Sequence, residues 1–173
     1  MNGLRENALI LRAPEPSDLP FLIKLENDRN NWWVSGTISP WSHYTLKKYL
    51  ENSGQDIAIT GQQRFVLSTP DHRIGLIDFY DYDALNQRAA IGIVIDPDFR
   101  NRGYGKKAIE LIIKQGEIFL GLHQVYAEIP AFNEASIRLF EKCGFTRNGV
   151  KKDWIRKKGK YHDVYFYQKF LSY

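Results

Sequence analysis

The chain has 173 residues, 43% hydrophobic and 25% charged, a length and balance that fit one domain with a real core but are short for two. A single cysteine, Cys143, and four widely spaced histidines exclude an internal disulfide and a metal site built from several Cys and His ligands. The formal net charge of +4 suits anionic partners in general, a polyanion or a phosphate-rich cofactor, and equally a mildly basic protein with neither.

Residues Met1 to Leu11 carry charges and lack a long apolar run, so they do not read as a secretory signal. No stretch approaches the roughly 18–20 apolar residues of a membrane span. The expectation is a cytoplasmic protein with no membrane and no nucleic-acid partner; self-assembly into a homo-oligomer is left open.

Along the chain, Ala8 to Arg12 is a short apolar run that can start a sheet. Pro14-Glu15-Pro16-Ser17 then breaks the chain, and Ser17 is placed to cap a helix through Phe21, Leu22 and Leu25. The stretch from Asn27 to Ser42 reads as a loop. A second helix follows on Tyr44, Leu46, Tyr49 and Leu50, stopped by Gly54. Three β-rich runs come next, Arg64 to Ser68, Ile74 to Tyr82 and Ala89 to Ile95. Their turn signals are Thr69 to His72 and Asp83 to Gln87, which favours an antiparallel meander. Apolar residues then recur at helical spacing from Gly105 to Leu120. Val125 to Ile129 reads as a strand and Glu134 to Lys142 as a helix ended by Gly144. Val150 to Ile155 and Asp163 to Phe170 read as a closing hairpin across Lys157 to Lys160. No internal repeat or linker divides residues 1–173, and one α/β domain is expected.

The most informative segment runs Ile93-Val94-Ile95-Asp96-Pro97-Asp98-Phe99-Arg100-Asn101-Arg102-Gly103-Tyr104-Gly105-Lys106, from a strand through a glycine-bearing turn into a helix. Unpaired N–H groups and the positive dipole end at a helix start suit an anion. Gly103 and Gly105 remove side chains that would block a pyrophosphate, and Arg100, Arg102 and Lys106 add cations that can meet it. The same spacing also fits a tight helix entry with solvated basic residues.

Arg100-x-x-Gly103-x-Gly105 resembles the Q/R-x-x-G-x-G/A signature of the GNAT acetyltransferases. Asn133-Glu134-Ala135-Ser136-Ile137-Arg138-Leu139-Phe140-Glu141-Lys142-Cys143-Gly144-Phe145 resembles the second motif of that family, a helix followed by Gly-Phe. Nearly the whole chain is covered. Arg64 to Leu67, Ile74 to Asp78 and Gly159 to Val164 are similar to the branch holding bacterial spermidine and ribosomal-protein N-acetyltransferases.

The resemblance implies a mixed, mostly antiparallel central sheet flanked by helices, with acetyl-CoA as co-substrate. It implies that the main chain from Arg100 through Asn101, Arg102, Gly103, Tyr104 and Gly105 to Lys106 holds the pyrophosphate. Ile93, Val94 and Ile95 would offer a strand edge to the pantetheine arm, and Asn133 an amide. Phe140 and Lys142 are counted in the same cofactor set. The implied reaction is acetyl transfer to a primary amine (a polyamine such as spermidine, a peptide N-terminus or another small amine) by direct attack in a ternary complex. The alternative is a non-catalytic acyl-CoA-binding domain.

At neutral pH only about one alkylamine in 10³ is unprotonated, so attack needs a proton acceptor. Asp78 is the first candidate, with Asp81, Asp83 and Glu128 as rivals. The family often places a tyrosine proton donor where this chain has Phe140. Tyr104, Tyr161 and Tyr165 are the conceivable stand-ins, unless the thiolate leaves unassisted. Cys143, before Gly144-Phe145 at a helix end, is expected to fill space. Trp32, Trp33 and Trp41 either border the acceptor cleft or pack in the core, and Lys157, Lys158 and Lys160 read as a solvated hairpin tip. Ser35-Gly36-Thr37-Ile38-Ser39-Pro40 carries no carboxylate, which weakens a polycation as acceptor.

Overall fold

The structure, a computed structural model, describes residues 9–171, and the backbone alone at Val34. Seven strands form one sheet in the order β1-β2-β3-β4-β5-β7-β6. They are β1 (Ile10–Arg12), β2 (Gln63–Ser68), β3 (Arg73–Asp83), β4 (Arg88–Ile95), β5 (Gln124–Pro130), β6 (Thr146–Lys157) and β7 (Lys160–Phe170). Every neighbouring pair is antiparallel except β4 and β5, which run parallel. A parallel pair needs a crossover, supplied here by helix α5 (Tyr104–Leu120). The predicted meander, the helix from Gly105 to Leu120 and the closing hairpin are all present, with hairpin strands longer than the apolar runs that announced them. Ala8, at the predicted start of the first strand, lies outside the described residues.

Side-chain alternation along the strands gives the sheet two apolar faces. Val66 and Leu76 bury one face against Leu22 and Leu25 of helix α1 (Leu19–Glu26). Phe65, Leu67, Ile77, Phe79 and Ile91 bury the other against Ala108, Ile109, Ile112 and Ile113 of α5. Those α5 positions recur every three to four residues, so one stripe of the helix enters the core, each isoleucine contributing roughly 1.5–3 kcal/mol. Among the described residues no helix is long and apolar enough to cross a membrane.

The N-terminal helices differ in detail from the sequence reading. Ser17 does not cap α1: it lies within a 3-10 turn, Pro16–Asp18, and Asp18 leads into the helix. Asp18 is fully buried because its carboxylate has a larger task, accepting both Nη groups of Arg12 at 2.7 and 2.8 Å and Nε of Arg73 at 2.5 Å. Burial alone would raise its pKa; the hydrogen bonds from Arg12, Arg73 and the Glu15 N–H overcome it and hold the carboxyl well below its usual range. The segment from Asn27 to Ser42 is not all loop, since α2 (Trp32–Ser35) forms one turn of helix closed by Gly36 at φ 69°. Helix α3 (His43–Asn52) is capped by Ser42, which accepts from the Thr45 N–H. A further short helix, α4 (Ile57–Thr60), precedes β2, and α6 (Glu134–Lys142) has the predicted bounds.

Candidate active site

Strands β4 and β5 share only three register pairs, Arg88 with Gln124, Ala89 with Val125 and Ala90 with Tyr126. Beyond them each strand continues while paired only on its far side, β4 with β3 and β5 with β7. The separation opens a cleft of about 750 Å³ between Ile91 to Val94 and Ala127 to Pro130. Two of the three strand positions implied for the pantetheine arm, Ile93 and Val94, line it. Ile95, the last residue of β4, does not line it; its carbonyl accepts from Arg100 Nε at 3.0 Å.

Past Ile95 the chain makes a 3-10 turn, Pro97–Phe99, capped by Asp96, whose side chain accepts from the Asp98 N–H. Lys24 of α1 donates to Asp96 at 2.6 Å and Asp98 at 3.2 Å, tying this turn to the opposite face of the sheet. Gly103 then starts α5 at φ 81° with no side-chain cap, and a Cβ added there would meet nothing within 4 Å. The first-turn N–H groups have no side-chain cap and the space beside Gly103 is open, an arrangement that fits an anion. Gly105 serves a different end from the one its spacing suggested. A Cβ there would sit 3.1 Å from Leu139 Cδ2, so this glycine lets α5 approach α6, and only its N–H is left for a ligand. Arg100, Asn101, Arg102 and Lys106 are exposed around the turn. Arg102 lies over the Phe99 ring at 5.6 Å, Tyr104 packs on the same ring, and Lys106 is 3.7 Å from Glu110.

Asn133 caps α6, its Oδ1 accepting from the Ser136 N–H at 3.2 Å, and it lines the cleft with Ser136 and Phe140. The amide nitrogen of Asn133 is left to donate. Phe140 is buried edge-on against Phe145, with ring centres 4.9 Å apart. Lys142 is exposed at the far end of α6, about 13 Å along the helix from Asn133 at 1.5 Å per residue, and is not part of the cleft wall. Cys143 is buried just after this helix and away from the cleft; burial pushes its thiol up, as befits packing.

The other half of the cleft is built on cross-strand register. Arg64 of β2, Asp78 of β3 and Gly92 of β4 stand side by side on three adjacent strands. Asp78 Oδ2 accepts from Gln62 Nε2 at 2.7 Å and Arg64 Nη2 at 3.3 Å, while Arg64 Nη1 donates to Glu26 at 2.5 Å. The guanidinium thus leans towards Glu26 and leaves Asp78 incompletely compensated. Burial pushes the Asp78 carboxyl up, against the pull of Arg64 and Gln62. Burial also opposes the charge on Arg64, but Asp78 and the other groups around it more than offset this and raise its pKa. Asp78 Oδ1 points towards bare backbone: a Cβ on Gly92 would come within 2.9 Å of it. Glycine here keeps one carboxylate oxygen open to the cleft.

The rival carboxylates are placed elsewhere or engaged. Asp81 is exposed in a bulge at φ 49°, outside the cleft. Asp83 holds the β3–β4 turn, accepting from Asn86 and Arg88. Glu128 does line the cleft, where the Lys151 ammonium donates to it. Of the tyrosines, Tyr104, Tyr161 and Tyr165 are all outside the cleft wall, whereas Tyr80, two residues on from Asp78, lines it. Burial and the nearby Glu128 raise the Tyr80 pKa, so its hydroxyl keeps its proton. Sequence reasoning missed Tyr80, Gln62 and the Glu26–Arg64 pair; the i, i+2 spacing from Asp78 was the available signal for the first.

Trp32 and Trp33 line the cleft and Trp41 does not. Trp32 Nε1 donates to the Glu26 carbonyl at 2.9 Å, fixing α2 to the end of α1. Lys157 is not a solvated tip residue. Its ammonium lies 3.9 Å from the Phe132 ring centre and 5.7 Å from that of Trp33, while Lys158 and Lys160 are exposed.

Residues 8–146 match the family model described as an acetyltransferase (GNAT) domain. The chain is 28% identical over 159 residues to the spermidine N(1)-acetyltransferase of Vibrio cholerae, covering 90% of this chain and 89% of that one. A crystal structure of spermidine N-acetyltransferase from Vibrio cholerae in complex with CoA and spermine superimposes with a TM-score of 0.85 at 26% identity, covering 94% and 95% of the two chains. A dodecameric structure of the enzyme from that organism gives 0.78 at 26% identity, covering 94% and 93%. With a splayed strand pair, an uncapped helix start at Gly103 and a family model spanning most of its length, the chain belongs to the GNAT acetyltransferases and is an N-acetyltransferase that uses acetyl-CoA.

Proposed function

We propose that the chain acetylates a primary amine by direct attack within a ternary complex, with Asp78 as the proton acceptor. The observation that carries this is the position of Asp78 Oδ1, open to the cleft beside the bare backbone of Gly92. Acetyl-CoA supplies the acetyl group as an activated thioester. The N–H groups at the start of α5 and the cations around them suit its pyrophosphate, and the Asn133 amide and the free edge of β4 suit its pantetheine arm. Gln62 and Arg64 hold Asp78 through Oδ2, so Oδ1 is the atom that takes the amine proton as the new N–C bond forms. Phe140 has no proton to give. Tyr80 is the tyrosine that lines the cleft among the described residues, and it can meet the departing sulfur; the thiolate, with a pKa near 8.5, can also leave unaided.

The test is Asp78→Asn, with product measured by mass spectrometry. A positioned general base is worth on the order of 10²–10⁴ in rate, and kcat/KM is expected to fall by that factor with coenzyme A affinity unchanged. Asp78 must be ionised to act, and its pKa is raised, so the wild-type rate climbs with pH on an acidic limb above the ordinary carboxylate range. That limb disappears in the variant, leaving only the rise due to the amine itself. Retention of kcat/KM within threefold would remove Asp78 from the mechanism.

Self-assembly is proposed as well, on the dodecameric form of the Vibrio cholerae relative and on Ile118 and Phe119, which stand exposed at the end of α5. Sedimentation at micromolar concentration is expected to show a species larger than the monomer; a single 20.2 kDa species overturns it.

A further inference from the structure

Among the described residues, five charged side chains line the cleft: Glu26, Arg64, Asp78, Glu128 and Arg156. Four of them have partners of opposite charge. Arg64 serves both Glu26 and Asp78, and Lys151 serves Glu128. Arg156 of β6 has no carboxylate within ion-pair distance among the described residues, and it lines the cleft as an exposed residue. Two carboxylates, Glu26 and Asp78, share the one guanidinium of Arg64, so that part of the wall carries an excess of negative charge and favours an ammonium. Arg156, on a different strand, adds a cation with no carboxylate partner among the described residues.

The hairpin that bears Arg156 is held in place. Lys157, its neighbour, is seated between Phe132 and Trp33, and His162 packs edge-on against Phe132 at 5.0 Å. Lys158 and Lys160 add positive charge beside it. The facing segment from Ser35 to Pro40 contains no carboxylate that could answer this charge or bind a second ammonium. A polycation would meet Asp78 at one end and repulsion at the other.

From this arrangement we infer that the acceptor is an amine carrying a carboxylate, with its ammonium at Asp78 and its anionic end on Arg156. This rests on the reading of Asp78 as the acceptor-side group. A planar guanidinium can take a carboxylate through two parallel hydrogen bonds, which is the geometry that separates it from a lysine. Arg156 is solvated, so the contact is weaker than a buried one and depends on salt.

The experiment uses matched amines of closely similar basicity, triglycine with triglycinamide and 6-aminohexanoate with hexylamine, and spermidine as the polycation. The carboxylate member of each pair is expected to have the higher kcat/KM, by about tenfold for one charge-assisted contact at an exposed site, and spermidine the lowest value. Arg156→Glu inverts the order within each pair, Arg156→Lys retains it in reduced form, and circular dichroism confirms that both variants fold. Calorimetric titration of the same amines into the coenzyme A complex reads recognition without chemistry. Preference in binding with no turnover upholds Arg156 and sinks Asp78 as base. Turnover without preference, or a spermidine rate that is highest and indifferent to Arg156→Glu, overturns the inference. So does an absence of both turnover and binding preference.

Discussion

On the side of the cleft facing α5 and α6, the groups offered to a ligand are mostly main-chain atoms: the free edge of β4 and the first N–H groups of α5 behind Gly103. On the side facing α1 and the β6–β7 hairpin they are side chains from five different elements, Glu26, Arg64, Asp78, Glu128 and Arg156. Main-chain groups come with every residue, so the first wall is made selective by leaving side chains out. The second wall depends on single atoms brought into line by strand register, and one wrong atom spoils it. With the first wall proposed to hold the cofactor and the second the acceptor, the cofactor wall should tolerate changes to its exposed side chains, and the acceptor wall should not.

Arg64→Ala tests this most severely. It leaves two carboxylates without their shared partner, and a loss of about 3–5 kcal/mol in denaturant unfolding is expected, together with a large fall in kcat/KM. An unchanged midpoint would show that the network carries no structural weight. Gly92→Ala comes next, because its methyl would press within 2.9 Å of Asp78 Oδ1. Displacing the base costs about 10² in kcat/KM, while coenzyme A affinity stays within twofold. An equal loss in coenzyme A affinity would break the division between the walls. Gly103→Ala acts on the cofactor wall through the backbone: φ 81° with open space around it predicts a stability cost of about 1–2 kcal/mol and roughly tenfold weaker coenzyme A binding. The smallest effect is expected from Arg102→Ala or Lys106→Ala taken singly, about threefold or less in coenzyme A affinity and lost at high salt, since both side chains are solvated. A tenfold loss from either would move the cofactor site from main chain to side chain.

The same division explains what could be read in advance. Helix α6 was legible to the residue, and α5 nearly so, because caps and apolar periodicity are local signals. The turn into α5 was legible as a helix entry because Gly103 takes φ 81°, a conformation that favours glycine. Gly105 shows the limit of that logic, since its missing side chain makes room for Leu139, a contact made across two helices. Helices α2 and α4, each one turn long, are too short to show a period. The Glu26–Arg64–Asp78 network was illegible for another reason. It joins residues up to 52 positions apart through the pairing of Arg64 with Asp78, and register belongs to the sheet as a whole. Lys157 was misread because its aromatic partners come from two other segments of the chain.

The short pairing of β4 with β5 has a consequence for how the chain folds. From β1 to β4 each strand pairs with its sequence neighbour, and β6 with β7 close a hairpin of their own. The two blocks meet in the sheet through three residue pairs and a long crossover. Contacts between distant parts of a chain form only after the cost of loop closure has been met, so the blocks are expected to form early and dock last along that line. Coenzyme A would lie across the same line, and any ligand bound only by the docked state stabilises it by mass action. On the proposed reading, the place where the substrates meet is also the expected seam of assembly, and occupancy of the one would protect the other.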